Sequence, residues 1–277
     1  MKSYSFFLLL ICCITNGFAQ NDKPKQAQSK TKDPQPVQVP VKQKKVPKDT
    51  LDVLFIGNSY TYYNNLPHIV SIMSDSTDIK LITKKSTLGG SWLHEHWNSK
   101  RNLKTREILA KEKFDIVVLQ EYSMGSIQQP DSLRKYVGQF ARLVRQTGAE
   151  PMLFLVWARE KVPQYQTELD DPHQFVAKEN NLKLIPVGKA WEMARAYRPS
   201  APLFDLDGTH PADLGTFLSA AVIVGAITGQ VPKTVTTTPT IQDGRGESIE
   251  LMRLDWLDMI FALKVANEAV EKYCGEE

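Results

Sequence analysis

The feature that most constrains this chain is a series of short, almost wholly apolar runs separated by helix-patterned stretches. The runs are Leu51 to Ile56, Ile79 to Thr83, Asp115 to Leu119, Met152 to Trp157 and Leu184 to Val187. Runs this short and this uniformly apolar read as strands covered on both faces, the signature of a parallel sheet. Between them Leu103 to Lys113, Asp131 to Thr147, Pro172 to Asn180 and Lys189 to Tyr197 read as helices, the second stopped by Gly148. The alternation predicts an α/β protein, a three-layer α/β/α sandwich around a parallel five-stranded sheet with right-handed crossovers. A site in such a sheet lies at the carboxyl ends of the strands. Past Leu214 two apolar helices are expected, Leu214 to Thr228 and Glu247 to Tyr273. The Thr-rich stretch Val235 to Ile241 between them reads as an edge segment or a loop, and no internal repeat is visible.

The first fifty residues belong to a different regime. Lys2, the apolar run Phe6 to Ile14 and the small-residue site Gly17-Phe18-Ala19 predict a secretory signal over residues 1–19, cleaved after Ala19. The run is too short to span a membrane, and no later stretch reaches the eighteen or so apolar residues that requires. Lipid anchoring at Cys12 or Cys13 ranks second, because the residues before them suit that cleavage poorly. Residues 20–50 hold eight Lys, three Asp and five Pro, with nothing larger than valine to bury, and read as a disordered tether. The tether's net +5 and Lys2 leave the remainder, 51–277, at −3 out of the chain's formal +3. A mildly acidic domain lacks the basic footprint of nucleic-acid binding. After cleavage only Cys274 remains, so no internal disulfide forms and stability comes from a core. The expected location is exported, periplasmic or secreted, with an outer-membrane lipoprotein as the lesser alternative.

Two motifs can bear chemistry. The first strand ends at Gly57-Asn58-Ser59, which presents a hydroxyl at a tight turn on the carboxyl side of the sheet. Alone, Ser59 would read as a helix cap. The segment Asp207-Gly208-Thr209-His210-Pro211 spaces a carboxylate three residues before an imidazole, so one turn can bring the Asp oxygen to Nδ1 and leave Nε2 free to take a proton from a serine. Alone, that motif would read as a capped turn before a helix. Both fall where a doubly wound sheet gathers its element ends on one rim.

Gly57-Asn58-Ser59, Gly89-Gly90 after the second strand, the block after Val117-Val118-Leu119, and Asp207-x-x-His210-Pro211, in that order, resemble the SGNH/GDSL hydrolase superfamily across nearly the whole domain. Asn58 departs from that family's Gly-Asp-Ser, a departure shared with some exported bacterial branches. The resemblance implies a flavodoxin-like sheet, Ser59 as nucleophile, His210 as general base and Asp207 as its partner. It also implies an oxyanion hole from the N–H groups of Ser59 and of a glycine in the second block, for which Gly90 is preferred over Gly89. The family's third donor is an asparagine in Gly-x-Asn; here the text is Leu119-Gln120-Glu121-Tyr122-Ser123, so Gln120 is expected to serve, with Tyr122 the alternative and Glu121 a structural or substrate-binding group. Thr61 stands where the Gly-x-Ser-x-Gly elbow has its second glycine, which argues against an ordinary α/β-hydrolase fold.

His96, Trp157 and Arg159 are expected at a substrate rim, where aromatic faces stack on sugar rings. His94 and His96 as a metal pair are disfavoured, since positions two apart on a helix diverge by about 200°. His68 and His173 read as ordinary surface or helix residues. The expected function is an exported, cofactor-independent serine esterase that removes acetyl groups from carbohydrates. Rival readings are a non-catalytic glycan-binding protein on the same fold, a lipid or thioester esterase, and metal-dependent hydrolysis. The sequence does not fix the acyl group, the glycan or the oligomeric state.

Overall fold

The computed structural model describes residues 48–275, so the signal expected at 1–19 and all but the last residues of the tether lie outside the described residues. In chain order the elements are β1 (Thr50–Gly57), α1 (Ser59–Tyr62), α2 (Leu66–Ser74), β2 (Lys80–Thr87), α3 (Leu93–Trp97), α4 (Thr105–Lys111), β3 (Ile116–Leu119), α5 (Gly125–Gln128), α6 (Pro130–Gln146), β4 (Glu150–Phe154), α7 (Gln166–Glu179), β5 (Lys183–Ile185), α8 (Val187–Tyr197), α9 (Asp213–Thr228), β6 (Thr240–Gln242), β7 (Ser248–Glu250) and α10 (Trp256–Cys274).

Strands β1 to β5 form one parallel sheet in the order β2-β1-β3-β4-β5, the flavodoxin-like winding. Successive side chains leave opposite faces, and the two faces feed separate cores. Val53, Phe55, Ile116, Val118, Met152 and Phe154 pack with α2, α8, α9 and α10, whereas Leu54, Ile56, Val117, Leu119 and Leu153 pack with α3, α4, α6 and α7. That double burial explains the apolar runs and makes three layers. Helix α9 is apolar all round because α2, α8 and α10 surround it.

Three expectations are corrected. Strand β2 is one of the two edge strands, with Lys80, Ile82, Lys84 and Lys85 exposed, and its lysines blunt the free edge. Helix α7 begins at Gln166 rather than Pro172; burial of Leu169 carries the helix through the proline. The helix expected from Glu247 starts only at Trp256, capped by Asp255, whose carboxylate accepts from Leu257 N–H at 2.8 Å. The residues before it form the antiparallel β6–β7 ribbon, turned by Asp243 to Gly246, where Gly246 holds a left-handed φ of 82° and Asp243 Oδ1 accepts from Arg245 and Glu247 N–H.

Candidate active site

β1 delivers the serine. Its last residue, Gly57, lies so close to the Gln120 side chain that a Cβ there would meet Gln120 Oε1 at 2.4 Å. Asn58 then caps α1: its Oδ1 accepts from Tyr60 N–H at 3.1 Å while its Nδ2 donates to Ser91 O at 2.9 Å. A carboxylate could do only the first of these, which gives the Asn58 departure a physical reason. Ser59, half-buried, opens α1 with its Oγ turned to His210 Nε2 at 2.8 Å.

The imidazole is fixed from several sides. Asp207 Oδ2 lies 2.5 Å from His210 Nδ1, and Asp207 Oδ1 accepts the backbone N–H groups of Thr209 and His210. Burial alone would push the Asp207 carboxyl upward, but these hydrogen bonds outweigh it and hold the group at about 2, so it is ionised at neutral pH. Tyr63 stacks on the His210 ring at 4.6 Å and 22°, and its hydroxyl donates to Asp205 at 2.7 Å. Tyr60 meets the same ring edge-on at 5.9 Å. Asp207, His210 and Ser59 thus form one hydrogen-bonded line spanning 151 residues of sequence.

No family model matches the chain, and no curated protein matches it by sequence. Solved structures do. A DUF4886 family protein from Bacteroides uniformis aligns over 82% of this chain and 97% of its own, at 20% identity and a TM-score of 0.66. A protein from Slackia heliotrinireducens, named as a candidate SGNH hydrolase, aligns over 65% of this chain and 100% of its own, at 25% identity and a TM-score of 0.54. The chain shares the fold of the SGNH/GDSL hydrolases. The structural neighbours also include the acetyl xylan esterase AlAXEase, at 16% identity and a TM-score of 0.52 over 64% of this chain and 100% of its own.

On this SGNH scaffold some expected site residues do other work. Gln120 is buried and both ends of its amide are engaged within the protein: Oε1 accepts from Asn58 N–H at 2.9 Å and from Thr61 Oγ1 at 2.7 Å, and Nε2 donates to Glu121 O. Two donors converge on the oxygen, so the amide orientation is determined, and one of the two Nε2 protons is spent on Glu121 O. Gln120 thereby locks the serine turn. The N–H groups of Ser59 and Gly90 make no protein hydrogen bond among the described residues, and Gly90 keeps a left-handed φ of 63°. Tyr122, the alternative donor, stacks its ring on Trp92 at 4.6 Å.

His96 is wholly buried beneath the turn rather than on a rim. Its Nε2 lies 3.0 Å from Gly57 O, which can only accept, so Nε2 carries the proton and Nδ1 accepts from Thr105 Oγ1 at 2.6 Å. Burial lowers its pKa to about 4, keeping it neutral. Trp157 is also buried, stacked between Tyr60 and Trp191 at 4.2 Å on each side, and it donates to Thr209 O at 3.1 Å. It supports both arms of the site from behind. His173, expected as an ordinary surface or helix residue, is on α7 but fully buried. Half-buried Arg159 alone of the expected rim residues stays accessible, with Nη2 donating to Ser123 Oγ at 3.1 Å. The aromatics at the strand ends that remain half-exposed are Tyr62, Tyr63, Trp92 and Tyr122. Glu121 is buried, its Oε1 accepting from Tyr122 N–H at 2.7 Å and Leu93 N–H at 3.2 Å, and burial pushes its carboxyl up to about 7 against those bonds.

Proposed function

We propose that this chain is an exported serine esterase that removes acetyl groups from carbohydrates. The observation that carries the reading is the Asp207–His210–Ser59 line, at 2.5 and 2.8 Å. In this mechanism His210 Nε2 takes the proton of Ser59 Oγ as the oxygen attacks the acyl carbonyl, and Asp207 holds the tautomer and stabilises the imidazolium. The N–H groups of Ser59 and Gly90 receive the oxyanion. His210 then returns the proton to the departing alcohol, and water attacks the acyl-serine by the same steps in reverse. No cofactor enters. Fold likeness to an acetyl xylan esterase makes acetate on a carbohydrate the substrate to test first, and the leader pattern of residues 1–19 supports export.

The absence of an asparagine after β3, where the buried Gln120 stands, favours a second reading, a glycan-binding protein with an incomplete oxyanion hole. One comparison separates them. Wild type is expected to hydrolyse 4-nitrophenyl acetate and to be labelled by a fluorophosphonate, while Ser59→Ala loses labelling and at least about 10⁴-fold in rate. Absence of both in the wild type would give the protein to the binding reading.

A further inference from the structure

Beside the Ser59–His210 pair lies a group of side chains that offers more hydrogen-bond donors than the protein accepts. Tyr60 follows the end of β1, Ser123 lies past the end of β3 and Arg159 past the end of β4, so three adjacent strands deliver them to one place. Arg159 Nη2 donates to Ser123 Oγ at 3.1 Å, which leaves the serine its own O–H to give. The Tyr60 hydroxyl and Arg159 Nε are shielded from solvent and meet no acceptor. Arg159 Nη1 also makes no hydrogen bond within the described residues and, unlike Nε, is open to solvent.

Among the described residues no carboxylate forms an ion pair with this cation. The arginine ion pairs among the described residues are those of Arg101, Arg134, Arg198 and Arg253. Asp207, on the facing loop, spends both oxygens on His210 and Thr209. Glu160 donates its backbone N–H to Gly208 O at 2.9 Å, which seats the Arg159 segment against the Asp207–His210 loop. A permanently charged guanidinium beside two hydroxyls, with no carboxylate paired to it among the described residues, complements an anion. Since residues 51–277 carry a net −3, a negatively charged substrate needs such a local device.

We propose that Arg159 and Ser123 form a subsite for a carboxylate of the substrate, so that the ester taken by this site is borne by a uronate-containing saccharide. The proposal rests on the esterase reading and names its substrate class. A carboxylate seated there accepts from Arg159 Nη1 and from Ser123 O–H, next to Tyr60, whose ring meets that of His210 at 5.9 Å, and the charge-assisted bonds are strong ones.

Binding to the Ser59→Ala protein, measured by titration calorimetry with trigalacturonate and with xylotriose, tests this without turnover. The uronate is expected to bind at least about tenfold more tightly than the neutral saccharide. Arg159→Gln in the same background should abolish that preference, and Ser123→Ala should reduce it by a smaller factor. Equal affinity for the two saccharides, no uronate binding up to millimolar concentration, or a preference that survives Arg159→Gln overturns the proposal. The saccharide comparison in the Ser59→Ala protein requires no change at the subsite, so a misfolded Arg159 variant cannot rescue the idea. Failure of the esterase reading shows separately, as absent 4-nitrophenyl acetate turnover.

Discussion

Asn58 shows how much one amide can decide. Its Nδ2 donates to Ser91 O and its Oδ1 accepts from Tyr60 N–H, so the serine turn and the Gly89-Gly90 loop are tied through a single side chain that is 2% exposed. Asn58→Asp restores the superfamily's more common residue, yet it puts a carboxylate oxygen against a carbonyl in a buried site. The expected result is destabilisation of about 1–3 kcal/mol, measured by urea denaturation at pH 7. An unchanged or raised midpoint would show that the Ser91 contact is dispensable. At this scale the sequence was legible for residues whose partners are close in the chain: Asp207 and His210 meet through a three-residue turn. It was not legible for His96, Trp157 and Gln120, because a polar or aromatic side chain at a strand end can face substrate or core, and only the neighbours decide. The locking role of Gln120 had one available signal, the Gly57 that must leave room for it.

Between elements, Glu121 is the joint. From the end of β3 its carboxylate accepts from Tyr122 N–H and from Leu93 N–H at the start of α3, linking the loops on either side of the serine. Burial raises its pKa from 4.5 to about 7. A raised carboxyl pKa means the native state holds this proton where the unfolded chain has lost it, so its contribution is complete below about 4.5 and is lost as pH rises through about 7. Glu121→Gln keeps an acceptor for both N–H groups and removes the titration. Relative to wild type, the variant should therefore gain up to about 3 kcal/mol on going from pH 5 to pH 8, read from denaturation at the two values. A pH-independent difference would refute this. The helices and strands themselves were largely visible in hydrophobic patterning. The β6–β7 ribbon was not, since its strands are three residues each and mostly exposed, too short to show alternation.

Across the molecule, the core that α2, α8, α9 and α10 form on one face of the sheet reaches the site through Trp157. Its ring fills the space between Tyr60, next to the serine, and Trp191 of α8, and its indole N–H reaches Thr209 beside His210. Trp157→Ala should cost about 3–5 kcal/mol in unfolding free energy and reduce esterase activity along with it, because both arms of the site lose their backing. Trp157→Phe should cost less in both measurements. Activity that survives Trp157→Ala unchanged would mean the arms are held independently. The alternation of apolar runs and helical stretches determined by itself that this chain builds a doubly wound parallel sheet, since burial on both faces leaves its mark in the central strands. Local spacing likewise determined the Asp207–His210 turn. Which side chains stand in the cleft, which lie beneath it, and that Ser59 comes within 2.8 Å of His210 were decided only by the tertiary structure, because contacts across 151 residues depend on how the layers close and leave no periodic trace in the chain.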